Sequence, residues 1–232
     1  MLSALPRSAP FGVVRTAAVL LLGVGTAAHL GWLAELVLDT DLSPLHDLPV
    51  GLSAQGQPYR TLFRLADAVA GVAFMLSTPP LLRLAPVHWQ GRLTVAAVFS
   101  FGALMLVRAG FPPDCVPALS EVCAPRGDLS LAHRVNVVAS AVLAVQYVVG
   151  PAVLALWWHA GWGLVARCVV VVESAAAVAL ATGVVTGVSR YAGVAARVQL
   201  VAMSVLLCAG MAYLVAVGRR VRSREGTPWS RT

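Results

Sequence analysis

The stretch Val198-Gln-Leu-Val-Ala-Met-Ser-Val-Leu-Leu-Cys-Ala-Gly-Met-Ala-Tyr-Leu-Val-Ala-Val-Gly218, followed by Arg219-Arg-Val-Arg-Ser-Arg224, decides the fold class. The apolar part carries no charge. At 1.5 Å per residue, a helix of this length crosses the roughly 30 Å hydrocarbon core of a bilayer. The arginine cluster then stops it. Working back along the chain, five more runs of the same kind occur, over about 16–38, 61–82, 93–110, 131–157 and 166–188. None alternates with period two between regularly spaced turns, which excludes a β-barrel, and lipid admits only helices or closed barrels. The expected architecture is all-α: a polytopic bundle of six transmembrane helices. It forms a single transmembrane domain over residues 1–232, with a basic tail at 219–232.

Composition agrees. The chain of 232 residues is 59% hydrophobic and 12% charged, with a mean hydropathy of +0.81. Soluble domains carry about twice that charge, so an ordinary soluble enzyme and a disordered regulator are excluded. All 17 basic residues are arginine, which with the abundant Ala, Val, Leu and Gly points to a GC-rich bacterial genome. The location that follows is the plasma membrane of a bacterium. The net charge of +7 reads as the arginine excess of cytoplasmic loops. No basic stretch is interleaved with base-stacking aromatics, so no nucleic-acid partner is expected. In the first run, Gly25-Thr-Ala-Ala28 offers small residues for signal-peptide cleavage, but the apolar character continues through Trp32, Leu36 and Val37. It is longer than a signal core and reads as a retained helix.

Arginine counts, ten against seven, orient the bundle, and the acids agree. Arg7, Arg15, Arg83, Arg92, Arg167 and the five in the tail fall on one side; Asp39, Asp41, Asp47, Asp114, Glu121 and Asp128 fall on the other. Both termini are therefore expected in the cytoplasm. The outer loops are 39–60 and 111–130. The second holds Cys115 and Cys123, which an oxidising compartment permits to pair as a disulfide. Cys168 and Cys208 stand alone in apolar runs. The chain has no Cys-x-x-Cys, no Cys/His metal cluster and no cofactor motif, and no internal repeat.

Charges at membrane depth are costly and face the bundle interior. Arg64 and Asp67 share a helix face and can pair within it; Asp67 lies about 10 Å below the outer end. Arg108 ends the third span. His133, Asn136 and Ser140 line one face of the fourth. Arg190 and Arg197 bracket the last outer loop, with Glu35 and Asp114 at the rim. These residues predict a net-basic polar pocket open to the outside, suited to a lipid headgroup or a small anionic ligand. Glu173, in the inner half of the fifth span, reads as a neutral, hydrogen-bonded acid or as a proton relay. His29 reads as an interior hydrogen-bonding residue. Gly183-Val-Val-Thr-Gly187 is a close-packing motif.

The segments Leu52-Ser-Ala-Gln-Gly-Gln-Pro-Tyr-Arg60, Leu65-Ala-Asp67-Ala-Val-Ala-Gly71, Phe111-Pro-Pro-Asp114-Cys115, Cys123, His133 with Ser140, and Tyr191-Ala-Gly193 with Arg197 carry a resemblance. Their order and spacing resemble a domain-of-unknown-function family of bacterial six-helix membrane proteins, number nine-nine-eight in that series. The likeness covers roughly residues 15–218. Where many members have His followed by Asp in the fourth span, this chain has Arg134, Val135 and Asn136 after His133; Asn136 keeps a hydrogen-bonding group there. The resemblance implies the fold and the membrane location, and no activity, substrate or cofactor.

Several functions fit this pattern. The preferred one is ligand binding in the outward pocket without chemistry, with membrane lipids as partners. A second is a structural or assembly subunit. A third is a membrane-embedded, metal-dependent hydrolase built on Asp67, His133 and Ser140. That one lacks imidazoles, unless His46 folds in, and a base near Ser140. A proton-coupled transporter using Glu173 is the fourth.

Overall fold

The computed structural model describes residues 11–115, 129–186 and 191–225. Six helices in it are long and apolar enough to cross a membrane, and the described residues contain no strand. They are α1 (Phe11–His29), extended by a 3-10 turn over Leu30–Leu36, α2 (Arg60–Leu84), α3 (Trp89–Gly110), α4 (Leu131–Trp157), α5 (Ala160–Thr186) and α6 (Ala192–Glu225). All but the fourth begin before the apolar runs do, because helix geometry continues through polar flanks that hydropathy alone does not count. Leu20, Leu76, Val138, Val171 and Val178 are more than half exposed, as lipid-facing side chains must be.

Each helix packs on its neighbours in the chain, and α6 closes the ring against α1. This leaves an interior onto which all six helices face. Its apolar part holds Leu22, Phe74, Phe101, Met105, Leu143, Met203 and Leu206. The tightest crossing joins α2 and α3. A Cβ built at Gly71 would stand 2.7 Å from the Gly102 carbonyl oxygen, and one at Gly102 would stand 2.7 Å from that of Gly71. Only glycine at both positions lets the two backbones approach so closely. The sequence motif at 183–187 did not point there, and its Gly187 lies outside the described residues.

Helix ends are fixed by local chemistry. Ser130 caps α4, its hydroxyl accepting from the His133 amide. His88 caps α3, its Nδ1 accepting from the Gly91 amide. The two helices α1 and α6 have their chain-terminal ends together: a Cβ at Gly218 would collide with the Arg15 guanidinium. This end of the bundle is called the terminal end below; the other, carrying residues 37–59, is the loop end. Aromatic rings gather at the terminal end, where Trp158 stacks on Tyr213 at 5.2 Å and the Trp157 indole donates to the Thr94 hydroxyl.

Candidate functional site

The residues expected to form one pocket divide into two layers. The first layer, at the loop end, consists of cross-links. Arg197 donates to both carboxylate oxygens of Glu35, at 2.5 and 2.6 Å, across 162 residues of chain. The same guanidinium donates to the carbonyls of Pro44, Asp47 and Gly193. Glu35 is almost wholly buried. Gly193 has no room for a side chain, since a Cβ would lie 2.6 Å from the Pro44 oxygen. Arg197 thus pins the loop-end segment onto α6 and turns its donors toward protein.

Asp114 does the same for the loop after α3. Its carboxylate accepts from the Ser130 amide and hydroxyl at 2.8 Å and from the Gln55 side chain at 3.1 Å. Its own amide donates to His133 Nδ1, and the Gln55 amide donates to the Pro113 carbonyl. The bonds from the Ser130 amide and then its hydroxyl hold the Asp114 carboxyl below its ordinary pKa. Asn136 donates to the carbonyls of Phe111 and Arg108, and Arg64 to that of Ala109. These are carbonyls that the end of α3 leaves without intrahelical partners, and Arg64 adds a favourable charge at a helix C-terminus. Ser140 donates to Asn136.

The expected pairing of Arg64 with Asp67 within α2 does not form. Asp67 pairs instead with Arg108 of α3, at 3.4 Å. The i, i+3 spacing permits the local pair, but Arg64 is held by the α3 end. Arg167 bonds the Gly163 carbonyl of its own helix.

The second layer lies deeper and begins with that Asp67–Arg108 pair. His29 of α1 and Tyr147 of α4 are buried beside it. Arg108 is within electrostatic reach of both, and Tyr147 also senses Asp67 and Glu173. The Phe101 ring joins them, at 5.4 Å from His29 and 5.8 Å from Tyr147. Both His29 nitrogens, Arg108 Nε and the Tyr147 hydroxyl are buried with no hydrogen-bond partner in the protein. Glu173 is fully buried and faces Gln199 of α6. Neither Glu173 oxygen, nor the Gln199 amide nitrogen, makes a hydrogen bond of good geometry. Glu173 stands thirteen residues from each end of α5, about 20 Å from either. That is the middle of the helix. Every helix therefore contributes at least one polar side chain to the interior, among them His29, Asp67, Arg108, Tyr147, Glu173 and Gln199.

Sequence reading missed Tyr147 and Gln199, since a single polar side chain in an apolar run gives no signal of which way it faces. It found His29, Asp67, Arg108 and Glu173 separately. Asp67, His133 and Ser140, the set a hydrolase would need, are not brought together: each is engaged by a different partner. Among the described residues, no three of His, Cys, Asp and Glu gather to hold a metal ion. Cys123 and Arg190 lie outside the described residues. Cys115 is not one of the free thiols, which among the described residues are Cys168 and Cys208.

No curated protein and no solved structure matches the chain. A family model does, over residues 21–213, described as a protein of unknown function (DUF998). That match runs from within α1 to the last turns of α6 and takes in every polar residue of both layers, so this six-helix membrane protein belongs to the DUF998 family.

Proposed function

We propose that this protein is a bacterial plasma-membrane protein that binds a small polar ligand or a lipid headgroup inside its helix ring, without chemistry on it. The observation that carries the reading is that His29, Arg108 Nε and the Tyr147 hydroxyl are all buried and unpartnered in the interior that holds the Asp67–Arg108 pair. A buried polar group left unpaired costs about 1–3 kcal/mol, and a whole domain is stable by only about 5–15 kcal/mol. Several such atoms in one place favour an outside partner that supplies their hydrogen bonds. The loop-end cross-links of Arg197, Asp114 and Asn136 then serve as the frame around the site rather than as its ligands.

Membrane lipids are the natural partners of this reading, and both termini on the arginine-rich side is the orientation that goes with it. A Cys115–Cys123 disulfide would close the loop that Asp114 anchors. The same cross-links also favour a second reading, a structural or assembly subunit, in which the interior atoms are satisfied by water alone.

Native mass spectrometry of the protein released from its own membrane separates the two. A one-to-one adduct heavier than a few waters, lost on Tyr147→Phe while the fold persists, is the expected result. A bare protein mass, unchanged by Tyr147→Phe, overturns the binding reading.

A further inference from the structure

A cavity of about 150 Å³ lies in the terminal half of the ring, walled by α1, α2, α3, α4 and α6 and almost wholly apolar. Its size matches apolar cavities that take one benzene-sized group. Two of its glycines differ from Gly71 and Gly102. Gly150 and Gly210 line this space, and a Cβ at either meets nothing within 4 Å. Close helix packing does not require glycine there. What their missing side chains leave is room. The Trp158 indole N–H on the same wall is buried and unpartnered.

The cavity and the polar layer adjoin at one side chain, the Phe101 ring. Phe101 lines the cavity, and the same ring touches His29 and Tyr147. At the opposite limit the cavity reaches Ala85 and Pro86 in the turn between α2 and α3, so a chain longer than the cavity leaves at the terminal end. The charges also constrain the occupant. Asp67 and Arg108 neutralise each other, so a further buried charge would stand uncompensated, at a cost of several kcal/mol. What remains on offer is mostly donors, Arg108 Nε–H, the Tyr147 hydroxyl and one His29 N–H, with the other His29 nitrogen as an acceptor. Their complement is an uncharged oxygen group, a carbonyl that accepts or a hydroxyl that does both.

Resting on the binding function proposed above, we infer that the ligand is a neutral amphiphile. Its carbonyl- or hydroxyl-bearing head sits at Arg108, His29 and Tyr147, and its apolar chain enters the cavity beside Gly150 and Gly210.

The test uses three probes on the purified full-length protein in detergent micelles: monoolein, glycerol as the head alone, and oleoyl lysophosphatidic acid as the same chain with a charged head. Binding is read by native mass spectrometry, and folding by thermal melting. Monoolein is expected to bind one to one and to raise the melting temperature. Glycerol is expected to give no adduct, and the charged lipid to bind at least tenfold more weakly than monoolein. Tyr147→Phe and the double substitution Gly150→Leu/Gly210→Leu should each weaken monoolein at least tenfold; a Cβ at either glycine meets nothing, and an unchanged melting temperature without lipid checks that each variant is folded. If Tyr147→Phe weakens binding and the leucine variant does not, the polar site stands and the amphiphile is refuted. If only the leucine variant weakens it, the polar site itself fails. Equal or tighter binding of the charged lipid refutes neutrality. No binding of monoolein to wild type overturns the inference.

Discussion

Replacing Arg197 by methionine removes one partner of a buried ion pair and leaves the other in place. Glu35, its side chain 1% exposed, would then hold a carboxylate with no cation. Breaking such a pair from one side costs about 3–5 kcal/mol, whereas an exposed pair is worth about 0–1 kcal/mol. The carbonyls of Pro44 and Asp47 lose their donors as well, but they lie at the loop end, where water replaces much of what is lost. The expected destabilisation is therefore about 3–5 kcal/mol, a factor of at least a hundred in the unfolding equilibrium. Arg197→Met combined with Glu35→Leu removes both charges and should recover most of the loss. Denaturation in mixed micelles, followed by tryptophan fluorescence, measures both variants. Amide exchange over residues 37–59 should rise in the single variant, because the pin holding that segment is gone. A loss below 1 kcal/mol in Arg197→Met, with exchange unchanged, would refute the assignment of Arg197 as a pin and return it to the list of ligand residues.

Three further outcomes follow from named contacts. The Asp114 carboxyl should titrate, by carbon NMR, with a midpoint below the ordinary 3.8. Its contribution to stability is then complete above that value and is lost as pH falls through the lower folded midpoint; a midpoint at or above 3.8 contradicts the Ser130 contacts. Asn136→Leu should cost about 1 kcal/mol in the same denaturation assay, because the Phe111 carbonyl loses its donor in a partly buried place; no loss would mean that water caps α3 instead. Gly102→Val puts a Cβ against the Gly71 carbonyl oxygen and should abolish a monodisperse folded peak in size-exclusion chromatography, and a wild-type profile would refute the close crossing.

The spans were legible because a bilayer demands long apolar runs, and nothing else in the chain competes with that signal. The run at 131–157 even has the bounds of α4, since Ser130 ends it with a cap and Trp158 leaves helical geometry. Pairing between helices was not legible. Glu35 and Arg197 meet only because the ring brings α6 back against α1, and no local spacing encodes that. The Arg64–Asp67 pair failed for the same reason: a local geometry that is allowed lost to a tertiary one, in which Arg64 caps α3 and Arg108 reaches Asp67. The outward pocket read from the sequence treated loop-end and deeper residues as one site. The structure separates them by what they touch. The segments that carried the family resemblance turn out to be neighbours in space, with Gln55, Pro113, Asp114 and His133 in one hydrogen-bonded knot. Gly193 and Arg197 of the last segment hold the adjoining loop.

On the proposed function, the polar interior around Asp67 and Arg108 holds something other than protein. Cryo-electron microscopy of the chain kept in patches of its own membrane, at a resolution that separates side-chain atoms, tests it directly. Non-protein density is expected within about 2.7–3.2 Å of Arg108 Nε and the Tyr147 hydroxyl, extending past Phe101 toward Gly150 and Gly210. Side chains repacked so that Arg108, His29 and Tyr147 bond one another, with no density between them, would contradict it.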